Sequence, residues 1–478
     1  MVAHRSKASR TSRGWTLALT SIAFFMVMLD AMVVITALPS IQRSFGAGLS
    51  ILEWTVNAYG LTFAAAIIPA AALGDRLGRR RVFVAGLVLF TGASAACALA
   101  PTAEILIMAR AIQGLGGAMI MPLSLTILTA AFPVERRGAV VGIWGGIAGL
   151  AVASGPLIGG AVTQGLDWHW IFWVNIPIGV ATAVLSTLRL IESRGPATRL
   201  DLPAVGLVSG GATGIIWGLV RANEVGWGSP EIVAALSLGI LLLAGFVAWE
   251  RRAREPMLPL RLFGRPTFVA AIATGFLMTA SLQAAVFLVS QYFQFALGYS
   301  PLGAGLHLLP WTATPLVVAP AAGMLSDRIG QRPLMVIGML LQGIGLGWIS
   351  LVVTASLGYG QLVIPFLLAG VGASMVLATS STAALGAVAP PVMGKASGAN
   401  STLQRFGGVF GIAVGSAVFA ANGHLGTALA FTAGLRPALA VAAGLSILGA
   451  LSALAIGNRR RVPVTAQPEA PGVAVLNA

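Results

Sequence analysis

One carboxylate and one guanidinium stand far inside apolar stretches of this 478-residue chain. Asp30 falls past the midpoint of the apolar run at residues 15–37, and Arg110 lies about a turn and a half into the run at residues 105–132. An acid near the centre of a membrane-spanning helix costs roughly 2.5 to 3.5 kcal/mol on insertion scales, so such residues rarely lack a function. We therefore predict that Asp30 is a proton or ion site and that Arg110 is its partner charge.

Burial disfavours the ionised form of a carboxyl group, whereas a nearby guanidinium favours it. A site balanced between these effects could gain a proton in one access state and release it in another. The alternative is a fixed Asp30–Arg110 pair that only holds helices together, and the rarity of idle intramembrane charges favours the functional interpretation. Arg405 falls in the first turn of the run at residues 403–421, so we expect its side chain to reach the inner membrane surface.

The composition indicates which elements carry these charges. Hydrophobic residues make up 57% of the chain and charged residues only 9%, whereas a soluble domain carries about 25% charged residues. We find fourteen apolar runs, at residues 15–37, 54–73, 82–100, 105–132, 140–162, 171–188, 202–220, 232–249, 268–295, 302–325, 334–353, 362–388, 403–421 and 437–456. Barrel strands would be about 10 residues long with alternating polarity. The runs therefore predict an all-α integral membrane protein with fourteen transmembrane helices.

The formal net charge of +15 could indicate a nucleic-acid partner, but the positions of the basic residues exclude that interpretation. With the N-terminus inside, the inner segments hold 24 of the 29 Lys and Arg residues, whereas the outer loops hold only Arg43, Arg221 and Arg436. This asymmetry follows the positive-inside rule. We predict a multi-pass protein of the cell membrane that contacts lipid and has both termini in the cytoplasm.

The sequence lacks the signatures of several other classes. Cys97 is the only cysteine, which excludes a disulfide within the chain, and no Cys/His cluster indicates a metal site. No phosphate-binding Gly-x-x-x-x-Gly-Lys-Ser/Thr loop and no nucleophile with a base partner is found. We expect neither an enzyme nor a primary pump, and no cofactor.

An Asp-Arg-x-Gly-x-Arg pattern occurs twice, in loops on the same predicted side of the membrane. One copy contains Asp75, Arg76, Gly78, Arg79 and Arg80, and the other contains Asp327, Arg328, Gly330 and Arg332. If each copy connects the second and third helices of a repeat, two six-helix halves flank an inserted hairpin. The predicted organisation is a cytoplasmic tail at 1–14, a half at 15–190, a linker with two extra helices at 191–266, a half at 267–457 and a disordered cytoplasmic tail at 458–478.

Two parallel six-helix halves with a substrate site between them form the plan of an alternating-access transporter. In that plan the loop carboxylates could accept hydrogen bonds from a helix N-terminus, and the arginines could pair with acidic groups or lipid phosphates. Such contacts would latch the inner face in one state. Arginines that only set topology are the alternative, and the recurrence at matching places favours the latch.

Several longer motifs resemble the major facilitator superfamily, and within it the fourteen-helix drug:proton antiporters. They are the loop around Asp75 and the stretches at residues 29–39, 110–117, 146–160 and 168–179. The resemblance implies the major facilitator fold and proton-driven export of drug-like or antibiotic small molecules by a monomer. It also implies that the stretch containing Gly146, Gly155, Pro156, Gly159 and Gly160 seals the two halves against leak.

The same stretch predicts close helix packing from its residues alone, because small side chains let another helix approach. Pro156 removes a backbone donor and should kink the helix. Ordinary small-residue packing fits this spacing equally well.

Polar and aromatic residues within the apolar runs are the candidates for lining a substrate cavity. The candidates for its lining are Asn57, Tyr59, Gln113, Gln291 and Trp311. A largely apolar cavity with one acid would suit amphipathic compounds, cationic ones included. Two other functions stay open at this point: a proton-coupled importer of a small nutrient, and a membrane sensor or scaffold without transport.

Overall fold

The structure is a computed structural model that describes residues 2–46, 48–195, 201–253, 260–388 and 393–457. Some side chains within these segments, including that of Asp327, are outside the described set. The predicted C-terminal tail at residues 458–478 lies outside the described residues.

Helices dominate the molecule, and the described segments contain no β-strand. The helices are α1 (Val2–Phe45), α2 (Leu49–Leu77), α3 (Arg79–Ala98), α4 (Ala103–Ala131), α5 (Val134–Gly165), α6 (Trp170–Trp173), α7 (Asn175–Arg189), α8 (Leu202–Val225), α9 (Pro230–Arg252), α10 (Pro266–Gln291), α11 (Pro301–Thr312), α12 (Thr314–Ile329), α13 (Gln331–Val352), α14 (Gly360–Gly386), α15 (Met393–Asn422) and α16 (Ala428–Ala453). A π-helical turn at Tyr292–Ala296 extends α10. Most of the predicted N-terminal tail is the beginning of α1.

Thirteen segments of the described chain are long and apolar enough to cross a bilayer, with α6–α7 and α11–α12 each counted as one. α5, where several side chains are outside the described set, occupies the place of the run at residues 140–162. The prediction of an all-α integral membrane protein is confirmed. Lipid offers no partners to backbone amides, which is why each apolar run had to become a helix.

The helices form two bundles and a hairpin. Helices α1–α7 pack on one another, and so do α10–α16, while α8 and α9 pair with each other. The hairpin covers the contact between α2 and α15. Ile216 of α8 forms an apolar cluster with Leu61 of α2 and with Phe406 and Val409 of α15. The two extra helices therefore cover the side of the contact between the halves.

Both loop motifs have a glycine with a positive φ at the equivalent position. Gly78 connects α2 to α3 with φ +117°, and Gly330 connects α12 to α13 with φ +87°. Residues with a Cβ rarely adopt such angles. An internal repeat predicts this correspondence between the halves.

One sequence expectation is wrong. α15 begins at Met393, ten residues before the apolar run at 403–421, because polar residues such as Asn400 and Gln404 are also part of the helix. Arg405 is therefore twelve residues beyond the start of this 30-residue helix, about 18 Å along its axis at 1.5 Å per residue. It lies near mid-depth and not in the first turn.

We call the side of the bundle with Gly78 and Gly330 the loop-motif face and the other side the opposite face. At the opposite face α5 packs closely against α11 of the other half. A methyl group added at Gly160 would meet the carbonyl oxygen of Pro301, and one added at Gly305 would meet that of Pro156. This small-residue seam holds the two halves together at the opposite face.

The seam gives a test of conformational closure. We expect Gly160→Ala to push α11 away, since overpacking a tight contact costs about 1–3 kcal/mol. The readout is the labelling rate, with a membrane-impermeant maleimide, of Arg43→Cys, which lines the crevice between the halves at this face. We expect at least a fivefold faster rate in Gly160→Ala. Cys97 is buried and should not compete for the label.

The matched control is Gly146→Ala on the same helix, where an added methyl group would have no neighbour within 4 Å. Its labelling rate should equal that of the parent protein. Equal rates for the two alanine variants would contradict a closure that depends on the Gly160 contact.

Candidate functional site

Asp30 is buried in the interior of the first bundle. Arg110 Nη1 of α4 donates to Asp30 Oδ2 at 2.6 Å, and both side chains are 1% exposed. The structure thus brings together the two charges that the sequence singled out. Their role in proton coupling stays a prediction.

Two amides complete the surroundings of the carboxylate. Gln113 Nε2 donates to Asp30 Oδ1 at 3.0 Å, and Asn175 Nδ2 of α7 donates to the same oxygen at 2.9 Å. Both amides also donate to Ser94 Oγ of α3, at 2.7 and 3.4 Å. We call Asp30, Ser94, Arg110, Gln113 and Asn175 the Asp30 cluster. Each carboxylate oxygen has at least one donor, as a buried ionised acid requires.

Helix geometry places the two α4 members on one face, since residues three apart on a helix are neighbours. Arg110 Nη1 also donates to Gln113 Oε1 at 2.6 Å, which orients the amide so that its nitrogen faces Asp30. On the other side, Arg110 Nε donates to Thr55 O at 3.2 Å, and its guanidinium lies 4.3 Å from the Tyr59 ring centre. Helix α2 therefore supports the Arg110 side chain with a carbonyl oxygen and an aromatic ring.

Close approach of α2 to α4 depends on glycines. A methyl group at Gly114 would meet the Tyr59 carbonyl, and one at Gly117 would meet the Phe63 ring. These are the small residues of the stretch at 110–117, and they fix the distance between Arg110 and its supporting helix.

Sequence reasoning missed two members of the cluster. Asn175 belongs to the motif at residues 168–179, but nothing in that motif indicates which atom its amide contacts. Ser94 is a small polar residue in an apolar run, and such residues are common in membrane helices. Only the packing of α7 against α1, and of α3 against α4 and α7, shows that both belong to the site.

A small cavity lies beside the carboxylate. Its volume is about 10 Å³, which is close to the room that one water molecule needs. Asp30 and Asn175 supply its polar wall, and Ile158 and Val162 of α5 contribute to the apolar wall. The acid therefore borders a water-sized space on the side of α5.

The predicted α5 residues divide between two neighbours. Gly155 faces Met32 of α1, and Gly159 faces Thr36 of the same helix. Pro156 and Gly160 face α11, as described above. Gly146 has no such neighbour. The sealing role of this helix stays a prediction, but its two faces connect α1 to the other half.

The first loop motif is bonded to itself and to the segment that follows α7. Asp75 Oδ1 pairs with Arg79 Nε at 2.8 Å, and Arg79 N donates to the Ser193 carbonyl at 2.9 Å. The Glu192 carboxylate accepts from the backbone N–H of Arg80 at 3.0 Å. The remaining motif side chains are exposed at Arg76 and Arg328 and half-buried at Arg332. A latch between the halves stays a prediction, and the side chain of Asp327 lies outside the described residues.

The five candidates for the cavity lining separate into two groups. Gln113 is a member of the Asp30 cluster, and the Tyr59 ring packs on its Arg110. Asn57, Gln291 and Trp311 are buried, and each has side-chain polar atoms without a partner among the described residues. Their contact with a substrate stays a prediction. In the part of the chain that the structure covers, no group of three or more His, Cys, Asp or Glu side chains could hold a metal ion.

Comparison with known proteins relates this geometry to a family. A family model described as Major Facilitator Superfamily matches residues 20–411 and, separately, residues 268–476. The chain is 34% identical over 416 residues to the tetracenomycin C resistance and export protein of Streptomyces glaucescens, covering 86% of this chain and 77% of that protein.

Two further similarities agree with this match. The multidrug resistance protein Stp of Mycobacterium tuberculosis is 35% identical over 408 residues, covering 85% of this chain and 76% of that protein. The crystal structure of the peptide transporter POT in complex with sulfate superposes with a TM-score of 0.68 at 15% identity, covering 92% of this chain and 94% of that one. At this identity the structural likeness shows the fold alone.

The hydrogen bonds of the Asp30 cluster predict a measurable stability. We expect Asn175→Leu to lower the thermal unfolding midpoint of the purified protein by several degrees, because loss of a donor to a buried carboxylate costs about 1–3 kcal/mol. The control is Thr182→Val on the same helix, whose hydroxyl bonds only the Ile178 carbonyl of its own helix. A midpoint shift no larger than that of the control would contradict the importance of this donor.

Proposed function

The chain belongs to the Major Facilitator Superfamily, and from this premise we propose that it exports amphipathic, drug-like small molecules from the cytoplasm in exchange for protons. The chain is a multi-pass transmembrane transporter. Alternating access of a site between the two bundles is the mode of action that we propose for it. In this scheme the loop-motif face is cytoplasmic, both termini are in the cytoplasm, and a single chain is the working unit in the lipid bilayer.

The direction of transport is supported by the relatives. One is named as a resistance and export protein for tetracenomycin C and another as a multidrug resistance protein. Resistance is the property that these names share, and the first also names export, which we extend to this chain.

Proton coupling is carried by one observation, the buried Asp30–Arg110 pair beside a water-sized cavity. In this scheme Asp30 is ionised in the conformation described here, where it lies 2.6 Å from the Arg110 guanidinium. We propose that a proton from the outside reaches Asp30 when access changes, and that the neutral acid then releases its hold on Arg110. Return of the proton to the cytoplasm resets the pair.

The free energy that depends on the charge of Asp30 is large enough for a conformational switch. Removal of one partner of a buried ion pair costs about 3–5 kcal/mol, because the other charge is left uncompensated. A change of population from 1:99 to 99:1 needs about 5.5 kcal/mol. The free energy that depends on the charge of Asp30 is therefore of the same order as the free energy that a change of access needs.

The contacts of α1 and α5 suggest how the change reaches the other half. Asp30 lies on α1 less than two turns from Met32 and Thr36, which pack on Gly155 and Gly159 of α5. The other face of α5 packs on α11 through Gly160. A shift of α1 relative to α4 on protonation would thus loosen the seam at the opposite face.

The experiment is Asp30→Asn in everted membrane vesicles that hold a pH gradient. Each compound of a drug panel is added, and proton release is followed by dequenching of an acridine dye. We expect compound-dependent proton release by the wild type and none by Asp30→Asn. Exchange of labelled for unlabelled compound without a pH gradient should persist in the variant, since it needs no net proton transfer.

Asp167→Asn is the matched control, because that carboxylate is 55% exposed in a loop at the opposite face and pairs with His169. It should release protons as the wild type does. If Asp30→Asn does not fold, the double variant Asp30→Asn/Arg110→Gln removes both buried charges and keeps the test possible. Proton release at the wild-type rate in either Asp30 variant would overturn the coupling proposal.

A further inference from the structure

Among the residues that the structure describes, Arg405 is the one charge near mid-depth that the coupling scheme does not use. It belongs to α15 of the second bundle, yet its side chain contacts three helices of the first. Its Nη2 lies 3.2 Å from the sulfur of Met28 on α1 and 3.9 Å from that of Met121 on α4, and its guanidinium lies 4.6 Å from the ring centre of Phe63 on α2. The side chain thus points inward, between the halves.

These contacts leave the guanidinium poorly satisfied. It has five N–H donors, and a thioether sulfur is only a weak acceptor. Within the described segments no carboxylate forms a salt bridge with Arg405, and its residue surface is half-buried, not fully covered. A cation at this depth without a counter-ion is costly and marks a binding site by default.

The Asp30 carboxylate cannot supply the counter-charge that Arg405 lacks. Asp30 is committed to Arg110, Gln113 and Asn175. Met28 is two residues before Asp30 on α1, so the Arg405 surroundings adjoin the Asp30 cluster, but within the described segments no ion pair joins Arg405 to Asp30. The space between the halves therefore carries an uncompensated positive charge.

We infer that Arg405 binds the oxyanion of an amphipathic organic acid, with the apolar body of that substrate resting on Phe63, Met28 and Met121. A planar guanidinium suits carboxylates and other delocalised oxyanions. An aromatic ring and two flexible thioethers suit varied apolar bodies. The inference rests on the proposed export function and specifies its substrate class. It replaces the expectation of cationic substrates, which assumed that Asp30 faces the cavity.

The first experiment compares dyes that share a xanthene ring system but differ in charge. Fluorescein is the anionic probe and rhodamine 6G the cationic one. A second pair of unrelated structure consists of fusidate, an anion, and ethidium, a cation. Efflux is measured in a pump-deficient bacterial host that expresses the wild type, Arg405→Gln or Arg405→Lys. We expect the wild type to export at least one of the anions. The export rate of that anion should be at least tenfold lower in Arg405→Gln, and Arg405→Lys should retain part of the wild-type rate.

Arg436→Gln is the matched control, since that arginine bonds the Val353 carbonyl near the opposite face, away from this site. It should export the anions at the wild-type rate. For purified protein in nanodiscs, fluorescein anisotropy should show a tenfold weaker Kd for Arg405→Gln, equivalent to about 1.4 kcal/mol.

The outcomes separate the inference from the proposed function. Export of cations alone, or of anions equally well by Arg405→Gln, would overturn the inference and leave the export function standing. An equal loss of anion and cation export in Arg405→Gln would mean that the residue only bridges the halves, and would also overturn it. Export of no probe by the wild type would contradict the export function, and the inference with it.

Discussion

The need of one buried carboxylate for hydrogen-bond donors organises the first half of this transporter. An ionised acid is stable in an apolar interior only if its charge is paired and its oxygens accept hydrogen bonds. Asp30 obtains its donors from α4 and α7, and Ser94 of α3 accepts from the two amides. Four helices must therefore meet at one point, and the glycines of α4 let α2 close behind Arg110.

The helix that carries the acid also packs on α5, which forms one wall of the seam between the halves at the opposite face. α1 contacts the Asp30 cluster on one side and the small residues of α5 on another, and α5 in turn packs on α11. Because the contacts of α5 involve glycine and backbone atoms, little side-chain adjustment is available to absorb a displacement. Asp30 therefore lies where a small movement of α1, caused by a change in the charge of the carboxylate, would affect closure of the seam.

Charge at mid-depth is divided unequally between the halves. The first half holds a compensated pair, and the second contributes a guanidinium that reaches across to Phe63 without a carboxylate partner. The compensated pair suits a proton switch, and the uncompensated cation suits recognition of an anion. Coupling and recognition would then be performed by different residues, which leaves the apolar surroundings of Arg405 free to accept varied bodies.

Length, apolarity and the placement of basic residues were enough to predict the helical membrane fold, since lipid allows few other structures. They also identified Asp30 and Arg110 as partners, because two charges in apolar runs are conspicuous. The sequence could not show that Asn175 and Ser94 join them, since polar contacts among α1, α3 and α7 arise only when the helices pack. It also misplaced Arg405, because a hydropathy run marks where residues are apolar and not where a helix begins. Tertiary structure decided which charge is paired and which is exposed to the interior, since only packing sets the distance between side chains remote in sequence.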